Sequence, residues 1–366
     1  MTSTSHRSIL RAFGALLCIA VSITPTAARS AQMTNQQLPV VVVLSTGGTI
    51  AGRGGSTMSL SEYKSGSILG SELVDAVPEI KQFADVRVEQ ISNVGSTNMN
   101  IAIWRKLAER INAIYEQDAN VAGIVITHGT NTIEETAYFL NLTVKHDRPV
   151  VLVGAQRPAT ALSADGPLNL VNGVRAAAAR ESRGKGVLVV LNDEINAARD
   201  VTKTNTYRAE TFKSGELGFL GYVDQDRVAY YRQPIKRHTV NSEFDVKTIK
   251  DLPKVEIVYA YAEPANPVVI DALVKHGVRG IVIAGTGAGG MSDAEKDAAK
   301  KASASKVVFV RASRVGNGRV IPRKEYDDLG MIAGDNLNPQ KARILLMLAL
   351  SKTSDLKEIR RMFEEY

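Results

Sequence analysis

With 366 residues the chain is long enough for two domains, and its 44% hydrophobic content is that of a globular protein. Aromatics make up only 5%, so a core has to be built from Val, Ile, Leu and Ala. The formal charge of +7 is not gathered into a basic stripe interleaved with aromatics, which argues against a nucleic-acid partner.

Arg7, Arg11 and Arg29 carry part of that charge within a first segment, residues 1–30, that holds no acidic residue. After Arg11 comes the apolar stretch Ala12–Ile23, too short to cross a bilayer, then small residues with Ala28-Arg29-Ser30 as a cleavage site. The competing reading is a buried amphipathic helix. Residues 1–30 are expected to be a signal peptide, which implies export to the periplasm and no membrane association once it is removed. Cys18 lies inside the apolar stretch, but Leu17 is larger than the small residue usual before a lipid-bearing cysteine. The mature chain then has no cysteine and no thiol chemistry.

From Leu38 the pattern alternates. Short apolar runs at Val40–Leu44, Val86–Ile91, Gly123–Thr127, Val150–Val153 and Val187–Leu191 suit strands buried on both faces. Helical periodicity fills the gaps at Ser71–Val77, Ile101–Tyr115, Ile133–Val144 and Leu168–Ala179. Thr132 with Glu135, and Ser292 with Glu295, fit capping boxes. Periodicity fails between about Arg232 and Pro253, a polar stretch that reads as a linker. A second unit follows, with strands Val255–Tyr259, Gly280–Ala284 and Val307–Val310 and helices Val268–Lys275, Asp293–Ala302, Gln340–Lys352 and Asp355–Tyr366. The expected fold class is α/β with two domains. The larger N-terminal one, 38–231, has a parallel sheet with helices on both faces; after a linker at 232–252 comes a smaller α/β domain at 253–366.

Two strand ends stand out because each stops abruptly in threonine and glycine: Ser45-Thr46-Gly47-Gly48-Thr49 and Thr127-His128-Gly129-Thr130-Asn131-Thr132. Ligands of open α/β sheets gather at the carboxyl ends of strands. A hydroxyl at Thr49 can attack a carbonyl while N–H groups freed by the glycine turn hold the oxyanion; the plainer reading is a turn threonine serving its own backbone. Thr130 and Thr132 sit at a helix start, as N-caps or as part of a carboxylate site. His128 has no acid at triad spacing and reads as structural. Lys203, among hydroxyl residues, is either an exposed loop lysine or a partly desolvated proton acceptor. Gly285-Thr286-Gly287-Ala288-Gly289-Gly290 matches a dinucleotide fingerprint, and Arg311 at the end of the next strand would suit a phosphorylated ribose. No H-E-x-x-H, cysteine pair or clustered ligand spacing points to a metal.

Together these segments resemble the bacterial type II, periplasmic L-asparaginases and their glutaminase-asparaginase relatives. The resemblance runs from about Leu38 to Tyr366. It is carried by Thr46-Gly47-Gly48-Thr49-Ile50-Ala51-Gly52, Ile126-Thr127-His128-Gly129-Thr130, Ser163-Ala164-Asp165-Gly166-Pro167, Asp200-Val201-Thr202-Lys203-Thr204-Asn205 and Leu337-Asn338-Pro339-Gln340-Lys341-Ala342-Arg343. It implies hydrolysis of asparagine to aspartate and ammonia through a covalent acyl-enzyme, without a cofactor, in a homotetramer built as a pair of intimate dimers whose active sites are shared between subunits. Thr49 falls on the nucleophile, and Tyr63 on the tyrosine of a mobile loop that helps activate it. Thr130 and Lys203 fall on the pair that supports proton transfer. Gly48, Ser96, Thr97, Asn131, Gly290 and Glu325 fall in the substrate-binding set; Ser96 would hold the α-carboxylate, and Glu325 would come from the neighbouring subunit. The glycine- and serine-rich run Gly52–Ser61 suits a lid.

Three positions depart from the family pattern. Asn131 replaces an aspartate that faces the substrate α-ammonium, Thr97 replaces a glutamine or glutamate, and Gly290 replaces an asparagine or serine. A charged hydrogen bond contributes about 1.5–3 kcal/mol, so the loss at position 131 should cost on the order of tenfold or more in kcat/KM, and Asn131→Asp should restore it. The thinner shell also implies weak turnover of glutamine. Two other readings remain: an exported amino-acid-binding protein whose catalysis Asn131 impairs, and an NADP-dependent oxidoreductase using Gly285 to Gly290.

Overall fold

The computed structural model describes residues 37–366, and the expected signal at 1–30 lies outside them. The strands are β1 Val40–Gly47, β2 Arg53–Gly54, β3 Tyr63–Lys64, β4 Asp85–Val94, β5 Val121–Thr127, β6 Val150–Val153, β7 Val187–Leu191, β8 Glu194–Ala197, β9 Thr202–Lys203, β10 Phe212–Lys213, β11 Gly221–Val223, β12 Val228–Tyr230, β13 Val255–Tyr259, β14 Gly280–Gly285, β15 Val308–Ser313 and β16 Ile332–Ala333. The helices are α1 Gly70–Asp75, α2 Ile101–Gln117, α3 Ile133–Thr143, α4 Gly166–Ala178, α5 Asn266–Lys275, α6 Asp293–Ser303, α7 Lys324–Asp327, α8 Pro339–Lys352 and α9 Leu356–Glu365.

One sheet has eight strands in the order β12-β11-β8-β7-β6-β5-β1-β4. Its β4-β1-β5-β6-β7 portion is parallel. The second sheet, β13-β14-β15-β16, is parallel throughout. This is the expected larger parallel-rich sheet with helices followed by a smaller one.

Alternation along β1 explains why it reads as an unbroken apolar run. Val40, Val42 and Leu44 face the core shared with α2, α3 and α8, while Val41 and Val43 face the core beneath α4. Both faces are covered, so both sets must be apolar. From β1 the chain crosses to β4 on one side, then to β5 on the other. The carboxyl end of β1 is therefore a topological switch point, where the connections part and leave a crevice.

Two features were not expected. β8, β11 and β12 extend the sheet in antiparallel fashion, as pieces of three or four residues too short to show a period. The stretch expected as a linker, 232–252, is packed down: Phe244, Val246 and Ile249 are buried in the large core. The capping box at Ser292 and Glu295 forms as expected. The one at Thr132 and Glu135 does not: the Thr132 side chain makes no cap bond and donates instead to Ser96 O at 2.8 Å.

Candidate active site

Three turns meet at the switch point, each at the carboxyl end of a neighbouring strand: Gly48–Thr49 after β1, Ser96 after β4 and His128–Asn131 after β5. Glycine makes this closeness possible. Gly48 has φ +86°, and a Cβ built there would lie 2.3 Å from Gly129 N. A Cβ on Gly129 would in turn lie 2.7 Å from Ser96 Oγ. Backbone thus passes backbone with no room for side chains. Hydroxyls then clasp the strand ends: Thr46 Oγ1 donates to Thr127 O at 2.8 Å, and Thr127 Oγ1 to Ser45 Oγ at 3.1 Å.

Thr49, Ser96 and Thr130 are buried, at 7%, 6% and 4% exposure. Thr49 Oγ1 lies 2.8 Å from Tyr63 Oη, so the expected nucleophile and the loop tyrosine meet within one chain. The expected lid is an ordered hairpin, β2 paired antiparallel with β3. It docks on a second loop: Gly54 N donates to Thr160 Oγ1 at 2.9 Å, Ala159 N to Gly52 O at 3.0 Å and Leu162 N to Thr57 O at 2.8 Å. That second loop is shaped by Asp165, whose carboxylate accepts from Gln156 N and Arg157 N, both at 2.9 Å.

On the other side of the Gly48–Gly129 contact, Lys203 Nζ lies 2.8 Å from Thr130 Oγ1 and 3.2 Å from Asn131 Oδ1. Burial pushes the Lys203 amine below the ordinary lysine range, and desolvation is the sole cause. Among the described residues no carboxylate pairs with it, so nothing restores its proton affinity. Asn131 is anchored by its backbone, its N–H donating to Ser96 Oγ at 3.2 Å.

His128 holds the turn from below. Nδ1 lies 2.7 Å from Gly129 O, which can only accept, so Nδ1 carries the proton. Nε2 then accepts from Thr136 Oγ1 at 2.8 Å, and that oxygen accepts from Trp104 Nε1 at 2.7 Å. Burial pushes the imidazole down to about 4, which keeps it neutral as this chain of bonds requires. The histidine is a strut, as its sequence context suggested.

Not every expectation is met. Gly48 donates its N–H to Val94 O at 3.0 Å, and its carbonyl accepts from Gly66 N at 3.1 Å. Its place in the site comes from close approach, and an oxyanion has to find its donors elsewhere. Thr97 and Asn131 are exposed on the cleft-side turns. Gly290 and Glu325 belong to the second sheet region: Gly290 bridges to Thr286, and Glu325 is exposed and paired with Lys296 at 3.3 Å and Arg323 at 3.8 Å. The dinucleotide reading loses its arginine. Arg311 is fully buried, lies 3.8 Å from the Tyr326 ring centroid, and donates to Gly289 O at 3.3 Å and Ile321 O at 2.8 Å.

One residue gained a role that sequence reasoning did not assign. Lys341, on α8, is 1% exposed. Its Nζ donates to Arg199 O at 2.8 Å and Val201 O at 2.5 Å, pinning the segment that leads into Lys203. The motif around it was visible in the sequence, but a lysine reaching backwards to a turn 140 residues earlier leaves no local mark.

Comparison with known proteins places this geometry in a class. The family model for the N-terminal domain of asparaginase matches residues 40–236, and that for the glutaminase/asparaginase C-terminal domain matches 254–363. The chain belongs to the asparaginase family and is a hydrolase of that family. L-asparaginase 2 of Bacillus subtilis (strain 168) is 51% identical over 90% of this chain and 88% of its own length. A protein of Haemophilus influenzae named probable L-asparaginase periplasmic is 50% identical over 90% of this chain and 93% of its own. The solved structure of a probable cytoplasmic L-asparaginase from Campylobacter jejuni superposes with a TM-score of 0.87 at 47% identity, covering 90% of this chain and all of that one.

Proposed function

We propose that this protein hydrolyses the side-chain amide of L-asparagine to L-aspartate and ammonia through an ester on Thr49. The observation that carries the proposal is the 2.8 Å contact between Thr49 Oγ1 and Tyr63 Oη beneath an ordered lid. Tyr63 relays the proton: its phenol oxygen receives the Thr49 hydroxyl proton as Oγ1 attacks the amide carbon, while its own proton passes to the amide nitrogen, which leaves as ammonia when the C–N bond breaks. Water then cleaves the ester. Lys203, with its amine lowered by burial and 2.8 Å from Thr130 Oγ1, makes that hydroxyl the second proton carrier. Ser96 presents its hydroxyl beside the Asn131 N–H, where a substrate α-carboxylate is met.

Glutamine turns over weakly in this reading, because Thr97 and Gly290 offer little grip on the amino end of a longer substrate. Glu325 and Gly290 are contributed by a neighbouring subunit of a homotetramer; in support, both lie in the second sheet region with partners of their own. Export to the periplasm follows from the leader pattern, and a relative named periplasmic supports it.

Steady-state ammonia release from asparagine and glutamine, run beside Thr49→Ala, tests the proposal. Release from asparagine that vanishes in the variant is expected. Binding of asparagine with no release would favour an amino-acid-binding protein, and release that survives in the variant would remove Thr49 from the mechanism.

A further inference from the structure

Asparagine followed by glycine occurs twice in the chain, at Asn172-Gly173 and at Asn317-Gly318. Such a pair can react with itself, because glycine has no side chain to keep its backbone nitrogen from the amide carbon of the asparagine. The reaction requires a backbone free to bring those two atoms together, and the fold treats the two pairs differently.

Asn172 and Gly173 lie inside α4. Asn172 is 2% exposed, and its Nδ2 donates to Asp193 Oδ1 at 2.7 Å. The helical ladder occupies the Gly173 N–H, and a Cβ built on that glycine would lie 2.5 Å from Val153 Cγ1. Neither residue can turn unless the helix opens. Asn317 and Gly318 instead lie on the exposed bend 314–318 that follows β15. Among the described residues neither the Asn317 amide nor the Gly318 N–H makes a hydrogen bond. Gly316 and Gly318 have open space where a Cβ would stand, and Gly318 has φ +91°. The asparagine is therefore flanked on both sides by unhindered glycine, with no ladder to hold it.

We infer that Asn317 is a site of spontaneous modification, where the chain loses ammonia from its own side chain and acquires an acid. The Gly318 nitrogen attacks Cγ of Asn317, the Cγ–Nδ2 bond breaks, and ammonia leaves with the proton of the Gly318 N–H. Water then opens the resulting five-membered imide and returns a proton to the nitrogen. Addition at Cγ gives aspartate; addition at the main-chain carbonyl gives isoaspartate, in which the backbone runs through the former side chain. Either product adds a negative charge to the chain. The new acid arises beside the turn that holds Glu216, since a Cβ built on Gly215 would lie 2.2 Å from Asn317 Oδ1. The step consumes only water, and it is independent of the hydrolytic reading given above.

The two pairs serve as each other's control. Folded full-length protein is held at mildly alkaline pH beside a sample unfolded in guanidinium chloride, and both are digested with pepsin in acid, where imide formation is slow. Peptide mass spectrometry reads the conversion of each asparagine to acid, and an isoaspartyl methyltransferase labels the rearranged product. In the folded protein Asn317 is expected to convert at least about tenfold faster than Asn172, which is protected until α4 opens, and in guanidinium the two rates are expected to converge. A more acidic species should grow at the same rate on ion exchange, and it should be absent from Asn317→Gln, whose longer side chain closes the ring far more slowly. Equal conversion of the two residues in the folded protein, faster conversion at Asn172, no conversion at Asn317, or the same acidic species growing at the same rate in Asn317→Gln overturns the inference.

Discussion

Replacing Lys341 by methionine keeps the length and buried stem of the side chain and removes its nitrogen. Two consequences oppose each other. Arg199 O and Val201 O each lose a donor, and a buried carbonyl left unmatched costs about 1–3 kcal/mol, hence about 2–6 kcal/mol for the pair. Against this, burial pushes the amine down to about 8, from an ordinary value near 10.4. Holding it protonated at pH 7 therefore already costs the wild type about 3 kcal/mol, at about 1.4 kcal/mol per unit, and the methionine chain is relieved of that. The net loss at pH 7 is thus expected to be no more than about 3 kcal/mol. The pH dependence has a definite sign. Below pH 8 both folded and unfolded chains hold the proton and the full penalty stands. Between about 8 and about 10.4 the folded protein has lost a proton that the unfolded chain keeps, so wild-type stability rises with pH relative to the variant. A neutral amine still has two N–H groups for the two carbonyls. The gap between the proteins should therefore widen by about 3 kcal/mol from pH 7 to pH 10.5. Urea unfolding followed by the fluorescence of the single tryptophan, Trp104, stacked on Phe139 in the core, measures it. Because the anchored carbonyl of Val201 lies two residues before Lys203, kcat should also fall by about tenfold or more. A gap that stays constant or narrows with pH would refute the burial argument, and a wild-type kcat in the variant would refute the positioning role.

Three further outcomes follow from the site. Tyr63→Phe removes only the oxygen that meets Thr49, so kcat should fall about 100-fold while the unfolding midpoint barely moves; an unaltered kcat would exclude the tyrosine from proton transfer. Gly48→Ala puts a Cβ 2.3 Å from Gly129 N in a backbone that already has φ +86°, so a loss of about 4 kcal/mol or failure to fold is expected in thermal melts, and a stable, active variant would mean the three turns can separate. Glutamine should be turned over with kcat/KM at least about tenfold below that of asparagine, the difference of a single grip of about 1.4 kcal/mol; comparable values would show that Thr97 and Gly290 do not limit the longer substrate.

How much of this was legible depended on how local the cause was. β1 and β5 were readable because both faces of each are covered, which forces an unbroken apolar run ended by turn residues. The antiparallel edge was not, since β8 spans only Glu194–Ala197 and owes its place to β7 and β11 rather than to its own pattern. The capping box at Thr132 failed for a tertiary reason: Ser96 O, on another strand end, outcompetes the helix for that hydroxyl. Arg311 looked available for a phosphate because sequence shows the residue and not its burial against Tyr326. Thr49, Thr130 and Lys203 stand out in the sequence by their glycine- and hydroxyl-rich turns, and Tyr63 only through the family resemblance. Their meeting as two pairs on either side of the Gly48–Gly129 contact comes from the switch point, which no single segment encodes.

The most direct test of the whole account is rapid quenching of the wild-type protein with asparagine, followed by peptide mass spectrometry across β1 and its turn. An aspartyl ester on Thr49, formed and lost at rates consistent with turnover, is the expected result. Steady ammonia release with no adduct at that residue, and with undiminished release from Thr49→Ala, would contradict it.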